Sequence, residues 1–580
     1  MFCPCLFEAL LGDLFRLHLL GLDEHDVTRR ENRYAMEFFS RAPHMKGSDV
    51  ITYRNYVLKK GPFIDDIVAP DQPKNNQKAA AIRQEGSRFY RAKDFPTALE
   101  KYNESICWAE YEHLGIGYAN RSAVYYEMGE YELCMLNIDL ARKHNYPQTM
   151  LPKLQEREQN CKRNIFRLKS KLMEPYYKLT MEVSANPKRP FMADGIVQEH
   201  IAGYGRSMVA KRKFNIGDVI LQEKAWLSAI HPDMKYKNCS HCSSENFHSL
   251  IPCPKCVSVM YCSKECMKKG WKFSHRFECG MTEKLHHVFD DSCRMIMAPK
   301  AFFYGLTLFQ DNLKSMMSFS KTNRNSTNDD PFTLDYSSYD PLEEFKIFHK
   351  KKIPTDKFEH EDMCRFYAAL YYSIYIKHPL VRSIFVTKEQ KNFMLNSFLK
   401  YMRIIDFKVI GYRMFTTQLY SIASVCNHSC DPNTIAVTHF GQLKFIVTRP
   451  IAVDEQILIS YGPLLRKHLK SERKYELECY HIDCLCDSCN DVKWRSMQVA
   501  AMKLPALPQR SLMILKKRVE DPNIDDQLKT NLLKDFVAQY AYAYPRDDYV
   551  QALDVYRDFL VKAFVAEVKN HSRVTAGQMA

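Results

Sequence analysis

The stretch Asn427-His-Ser-Cys-Asp-Pro-Asn433 decides how this chain is read. Alone it is a polar heptapeptide rich in turn formers. Its company gives it meaning. Two runs with strand texture follow, Thr434-Ile-Ala-Val-Thr438 and Leu443-Lys-Phe-Ile-Val447, and then Gln456-Ile-Leu-Ile459 within Asp454-Glu-Gln-Ile-Leu-Ile-Ser-Tyr-Gly462. Next comes Cys484-x-Cys486-x2-Cys489. Far upstream, from Met192, the same texture of short strands and turns appears in Gly203-Tyr-Gly205 and Gly217-Asp-Val-Ile-Leu221. A β-rich unit is therefore split by a long insertion.

The insertion opens with the densest thiols of the chain. Of twenty cysteines, seven fall between Cys239 and Cys279. Cys239-x2-Cys242, Cys253-x2-Cys256, Cys262-x3-Cys266 and His275-x3-Cys279 are four ligand pairs. Side chains two or three residues apart reach one ion, and thiolates with an imidazole suit tetrahedral Zn²⁺. Eight ligands fill two closed tetrahedra and leave no position for substrate, so both sites read as structural. About forty residues bury too little apolar surface to fold alone, and metal binding supplies the missing free energy. Cys3, Cys5, Cys107, Cys134, Cys161, Cys293, Cys364, Cys426 and Cys479 read as buried small hydrophobes or incidental thiols.

The order and spacing of the Cys/His block resemble a MYND zinc finger. The ordered set of heptapeptide, Ile-Ser-Tyr461-Gly and post-strand cysteines resembles the SET-domain lysine methyltransferases. Together they resemble the SET-and-MYND family. The resemblance implies interleaved pairing, with Cys239, Cys242, Cys262 and Cys266 on one zinc and Cys253, Cys256, His275 and Cys279 on the other. It also implies a third zinc, on Cys430, Cys484, Cys486 and Cys489. It implies S-adenosylmethionine as cofactor, gripped by the backbone of Gly203-Tyr204-Gly205-Arg206 and by Asn427 and His428. Tyr461 is expected at the junction of cofactor and lysine channel, orienting methyl and amine as the catalytic residue. Two departures bear on the cofactor. Ile482 stands where relatives place an aromatic against adenine, with Tyr480 and His481 adjacent. No Asn lies between Asn396 and Asn427, and Val409-Ile-Gly-Tyr412 occupies the place of the one that relatives carry.

Ahead of residue 190 a loose repeat runs. Glu85-Gly-Ser-Arg-Phe89, Asp94-Phe-Pro-Thr-Ala98 and Tyr102 recur as Arg121-Ser-Ala-Val-Tyr125, Gly129-Glu-Tyr-Glu-Leu-Cys134 and Ile138. The period is near that of tetratricopeptide repeats, with small residues, Gly86 and Ser122, where paired helices touch. A degraded third copy is expected near Lys153, and two unrelated helical hairpins are the alternative. Such repeats resemble clamps for acidic chaperone C-terminal tails, and by position Arg83, Ser87, Asn120, Lys153 and Arg157 would bind the peptide.

The 83 Lys and Arg against 68 Asp and Glu give +15, but runs such as Lys211-Arg-Lys213 and Lys350-Lys-Lys352 stop after three and read as solvated surface. Nucleic acid is the weaker reading for a partner, and a transcription factor a distant one. No apolar run approaches the roughly 20 residues of a membrane span. The first residues lack a basic start and carry Glu8 and Asp13 within their apolar run, so residence is expected in cytoplasm and nucleus.

The expected architecture is a multi-domain α+β chain. An N-terminal helical segment (1–74) precedes repeats (75–180), the first SET half (190–235) and the finger (239–279). A helical insertion (280–405), the second SET half (406–465), a post-SET zinc segment (466–490) and a short helical C-terminal domain (491–580) complete it. Within the insertion, Ser318 to Asp356 reads as a mobile polar loop. The expected function is S-adenosylmethionine-dependent protein-lysine N-methylation of a protein substrate, with finger and repeats recruiting peptide partners. The alternative is an inactive SET scaffold acting as a chaperone or partner adaptor.

Overall fold

The computed structural model describes residues 38–59, 72–170, 179–244, 249–288, 294–323, 329–351, 361–408, 416–439, 441–478 and 482–579. Helix α1 (Val50–Lys59) packs with Phe38 onto the helical insertion, where Phe38 meets Phe366 at 4.5 Å between ring centroids. The next helices pair as hairpins: α2 (Asn76–Arg91) with α3 (Phe95–Trp108), and α4 (Leu114–Glu127) with α5 (Tyr131–Lys143). Each of the first two starts where a polar side chain takes an otherwise orphaned N–H. Asn75 accepts from Lys78 and Asp94 from Thr97. Gly86 lets the first pair close, because a Cβ there would sit 2.9 Å from the Tyr102 ring. A single long helix follows, α6 (Leu151–Ser170), where a third copy of the repeat was expected.

The split β unit closes as the sequence requires. A five-stranded sheet has the order β1 (Ala185–Asn186), β2 (Arg189–Ala193), β5 (Val219–Lys224), β12 (Gln442–Val447), β11 (Thr434–His439). Its centre joins the two halves of the chain: β12 runs antiparallel to β5, Leu443 opposite Glu223 and Phe445 opposite Leu221. Strands β3 (Ile196–Ile201) and β4 (Gly205–Ala210) form a hairpin, and β6 (Leu227–Ile230) pairs with β9 (Thr416–Leu419) across the insertion. The parallel pair β10 (Asn427–His428) and β13 (Leu458–Ile459) lies at the heart of the motif. Met192, Met208, Phe214, Leu221, Phe445 and Ile457 fill the core beneath.

In the finger, β7 (Ile251–Pro252) and β8 (Met260–Tyr261) form a short hairpin and α7 (Lys264–Phe273) follows. The finger shares one apolar core with the N-terminal hairpins, Val259, Met260 and Tyr261 packing with Ile106, Cys107 and Tyr118. Arg121, fully buried, ties the two together, donating to Asn103, Asn137, the Leu250 carbonyl and Ser249.

The insertion continues as α8 (Arg294–Leu308), α9 (Leu313–Thr322), α10 (Pro341–Lys350), α11 (Glu361–Tyr375) and α12 (Lys388–Lys408) around a large aromatic core. Two expectations fail here. Much of the segment expected as a mobile loop is ordered: α9 runs to Thr322, and α10 starts on Asp340, whose side chain accepts from Leu342, with Pro341 at its first position. Phe345 and Phe348, three apart, bury one face of α10, and Gly305 of α8 admits the Phe345 ring. Lys351, read as solvated, is buried at the end of this helix, its Nζ 3.4 Å from Ser424 Oγ.

After α13 (Lys470–Glu478), the chain ends in α14 (Asp491–Met502), α15 (Gln509–Glu520), α16 (Asp526–Gln539) and α17 (Asp547–Met579). Helix α17 docks on the back of the sheet, Tyr549, Tyr556 and Leu560 packing with Val219, Val437 and Ile446. Arg557 donates to the Pro432 carbonyl within the heptapeptide, and Lys444 of β12 pairs with Glu567. Among the described residues no helix is long and apolar enough to cross a membrane.

Candidate active site and metal centres

Three groups of four soft donors stand with their ligand atoms all within 4.8 Å of one another: Cys239, Cys242, Cys262 and Cys266; Cys253, Cys256, His275 and Cys279; and Cys430, Cys484, Cys486 and Cys489. A tetrahedral Zn²⁺ with Zn–S of about 2.3 Å needs sulfurs about 3.8 Å apart. The Sγ atoms of Cys242 and Cys262 are 3.6 Å apart and those of Cys430 and Cys484 3.9 Å; His275 Nε2 lies 3.3 Å from Cys253 Sγ. Donor chemistry and spacing both fit zinc, in the interleaved pairing that the resemblance implies. The β7–β8 hairpin explains the interleaving, since it presents Cys253 and Cys262 just beyond its two strands. Ser263 caps α7 by accepting from the Cys266 N–H, which fixes that ligand in the first turn.

The third group ties the heptapeptide to the segment after α13. Arg473, buried beside it, donates towards Cys489 Sγ at 3.8 Å, a cation among thiols. Ile482 is half-buried and packs at this group with Tyr461.

The heptapeptide is the crossing point of the cleft. The Asn427 carboxamide donates to the Arg206 carbonyl (3.0 Å), Ser207 Oγ (2.8 Å) and Gln456 Oε1 (3.0 Å), joining β4, β10 and the approach to β13. His428 is buried; its Nδ1 accepts the Tyr461 N–H at 3.0 Å, and burial lowers its pKa to about 4, so the ring is neutral near pH 7. The Tyr461 hydroxyl donates to the Cys426 carbonyl at 2.6 Å. Across from these, the turn into β4 uses two left-handed glycines, Gly203 at φ +82° and Gly205 at φ +74°. A Cβ on Gly203 would strike Leu485, whereas one on Gly205 would enter open space. Tyr204 is half-buried near the third group, and Arg206 pairs with Asp329 at 2.9 Å.

A second support was not legible in the sequence. The Glu223 carboxylate accepts the N–H groups of Ser421 (2.7 Å), Ile422 (3.0 Å) and Ala423 (2.8 Å), the loop leading into Cys426. Full burial outweighs these bonds and raises its pKa to about 7. Glu344 of α10 accepts from Ser421 Oγ (2.6 Å) and Tyr339 (2.6 Å), and burial raises it too.

The SET domain family matches residues 205–462. Protein-lysine N-methyltransferase SMYD4 of Danio rerio is 27% identical over 224 residues, covering 36% of this chain and 30% of that protein. Its Mus musculus counterpart is 22% identical over 551 residues, covering 72% of this chain and 67% of that protein. SET domain and MYND-type zinc finger protein 6 of Schizosaccharomyces pombe is 23% identical over 307 residues, 52% of each. The chain is similar to proteins of the SET-and-MYND family. The first of these matches spans under a third of the relative's length.

The residues expected of a peptide clamp lie on α2, α4 and α6. Ser87 Oγ is engaged with the Arg83 carbonyl (3.0 Å) and the Tyr102 hydroxyl (3.1 Å). Arg157 donates to the Ala119 carbonyl (3.0 Å) and Ser122 Oγ (2.8 Å), beside half-buried Asn120, while Lys153 is exposed. Two of the five are thus partly spent on internal bonds. Val409–Tyr412, Tyr480 and His481 lie outside the described residues.

Proposed function

We propose that the chain is an S-adenosylmethionine-dependent protein-lysine N-methyltransferase. The observation that carries this is the convergence of Tyr461, Asn427, neutral His428 and the open Gly205 turn on one cleft. When bound, the cofactor supplies a methyl group made electrophilic by its sulfonium. Gly203, Tyr204, Gly205 and Arg206 would line its path with backbone groups. Asn427 and His428 would hold its polar ends, and Ile482 would give the adenine an apolar contact without a ring face. A neutral His428 puts no like charge beside a sulfonium. With the Tyr461 hydroxyl donating its hydrogen bond to the Cys426 carbonyl, its oxygen would act as acceptor for an N–H of the incoming lysine. That aims the amine's own lone pair. Zinc on the three donor groups would be structural, the third holding the Ile482 segment against the heptapeptide.

The finger reads as a MYND module and the hairpins as tetratricopeptide repeats, both recruiting peptides. The groove of Arg83, Ser87, Asn120, Lys153 and Arg157 would take an acidic chaperone tail, and Lys153→Ala would abolish binding of such a peptide. Calorimetry with S-adenosylmethionine tests the enzyme. Binding should be seen, Asn427→Ala should weaken it, and Tyr461→Phe should keep it while methyl transfer to protein falls about a hundredfold or more. No binding at millimolar cofactor would overturn the enzyme reading in favour of the adaptor.

A further inference from the structure

Cys134 and Cys161, expected as buried small hydrophobes, are buried, but their contact is not that of an ordinary interior thiol. Cys107 and Cys426 each turn a buried thiol to a carbonyl, that of Val259 at 3.7 Å and that of Ile457 at 3.3 Å. Cys134 of α5 and Cys161 of α6 turn to each other instead, with 3.2 Å between their Sγ atoms. Among the described residues no third metal donor joins them, for the three four-donor groups are made wholly of other residues. These sulfurs are thus close without an ion to gather them. About 1.2 Å of further approach would bring them to the disulfide bond length of about 2.05 Å.

The pair sits where a bond would matter. Helix α6 lies against the second hairpin by a narrow stripe. Among its described residues only Leu154 and Cys161 are buried, with half-buried Arg157 between them donating to Ala119 and Ser122 of α4. Positions 154, 157 and 161 share one helix face. Beyond Cys161 no described residue of the helix is buried, and Phe166 is 79% exposed. A helix held by so few buried contacts opens more readily than a core element, and opening admits a water-sized oxidant to the pair. The Cys134 thiol beside it and, against burial, the Arg157 guanidinium draw the Cys161 thiol below its ordinary pKa, favouring the reactive thiolate.

We propose that Cys134 and Cys161 are a redox pair, which a hydroperoxide oxidises to a disulfide that locks α6 onto the second hairpin. The Cys161 thiolate attacks the peroxide oxygen and the O–O bond breaks. The leaving oxygen takes up a proton and departs as water or an alcohol. The Cys134 sulfur then attacks the sulfenic sulfur so formed, the S–S bond closes, and the S–O oxygen leaves as water with the Cys134 proton. Each sulfur gives up one electron, and the peroxide is reduced by the pair. The closed loop contains Lys153 and Arg157, so the lock fixes the helix that carries two residues of the proposed peptide groove. The disulfide itself does not depend on that reading.

Titration of the full, zinc-loaded chain with hydrogen peroxide tests it, followed by alkylation in denaturant, proteolysis and mass spectrometry. Expected is a cross-linked peptide pair joining Cys134 to Cys161, lighter by the hydrogens of both thiols, formed before zinc is released. In the oxidised protein amide exchange along α6 should slow about tenfold or more, and a thiol reductant should reverse this. Cys134→Ala should abolish both the cross-link and the slowing, and Cys161→Ala serves if that variant does not fold. Recovery of both cysteines as free thiols after the zinc ligands have begun to oxidise would overturn the proposal. So would each of them oxidised singly to sulfinic acid. A cross-link that leaves α6 exchange unchanged would overturn the lock.

Discussion

The Asn427–His428 pair is held from two sides by different chemistry. Downstream, Cys430 reaches Cys484, Cys486 and Cys489, more than fifty residues later, in a set of thiols built for a metal ion. Upstream, the loop Ser421–Ala423 hangs by three N–H groups from the carboxylate of Glu223, with Glu344 on the Ser421 hydroxyl. One flank depends on zinc and the other on the state of a proton. The contrast teaches that a single cleft can rest on two anchors that fail under different conditions.

The metal anchor should be the stronger. Structural zinc contributes about 10 kcal/mol or more to folding small modules, and an incomplete ligand set forfeits much of it. Cys430→Ser should lower zinc content from three ions per chain to two by elemental analysis, and cost roughly 5 kcal/mol or more in denaturant unfolding. Donor binding should be lost with it. A variant with three ions and native stability would break the comparison at its larger end.

Next comes the carboxylate. Glu223→Ala leaves three buried N–H groups without their acceptor, at about 1–3 kcal/mol each before water enters the space left by the side chain. A net loss of about 3 kcal/mol in denaturant unfolding, with zinc content unchanged, is the expected outcome. If the variant also loses the third ion, the two anchors are not independent.

The two anchors also differ in how far the sequence betrays them. Ligand pairs are local: Cys239-x2-Cys242 or Cys484-x-Cys486 announces itself because one ion demands several rare residues at short spacing, and the observed donor groups follow the expected partition. Gly86 was legible for a similar reason, since close helix contact admits few side chains. Glu223 was not. It sits between Gln222 and Lys224 at the end of β5, in a run that reads as the solvent edge of a strand, and only the return of the Ser421–Ala423 loop nearly two hundred residues later gives it work. Lys351 was hidden in the same way, in the middle of three lysines. Helix α10 was masked by polar surroundings, its two burying phenylalanines being too few to set a visible period over ten residues. Chemistry that needs a rare residue is written locally; chemistry done by a common residue in an uncommon place is written only in the fold.

The smallest effect sharpens the comparison most. Glu223 has a folded pKa of about 7, raised by burial above its ordinary 4.5. Between those values the folded chain keeps a proton that the unfolded chain has released. Its contribution to stability is therefore fully present below about 4.5 and is lost as pH rises through about 7. Between pH 5 and pH 8 that amounts to about 2 kcal/mol, and Glu344, raised in the same direction, adds to the slope. Glu223→Gln, which cannot ionise, should remove most of this decline in urea unfolding followed across that range, though Gln presents an amide where Ala423 needs an acceptor and so starts lower. The zinc anchor runs the other way, because protons compete for thiolates and acid weakens metal binding. The unsubstituted cleft should then be firmest in the middle of the range, weakened by acid through its thiols and by alkali through its carboxylate. A Glu223→Gln protein whose stability declines between pH 5 and pH 8 as steeply as the unsubstituted one would show that the upstream anchor is not held by a proton at all.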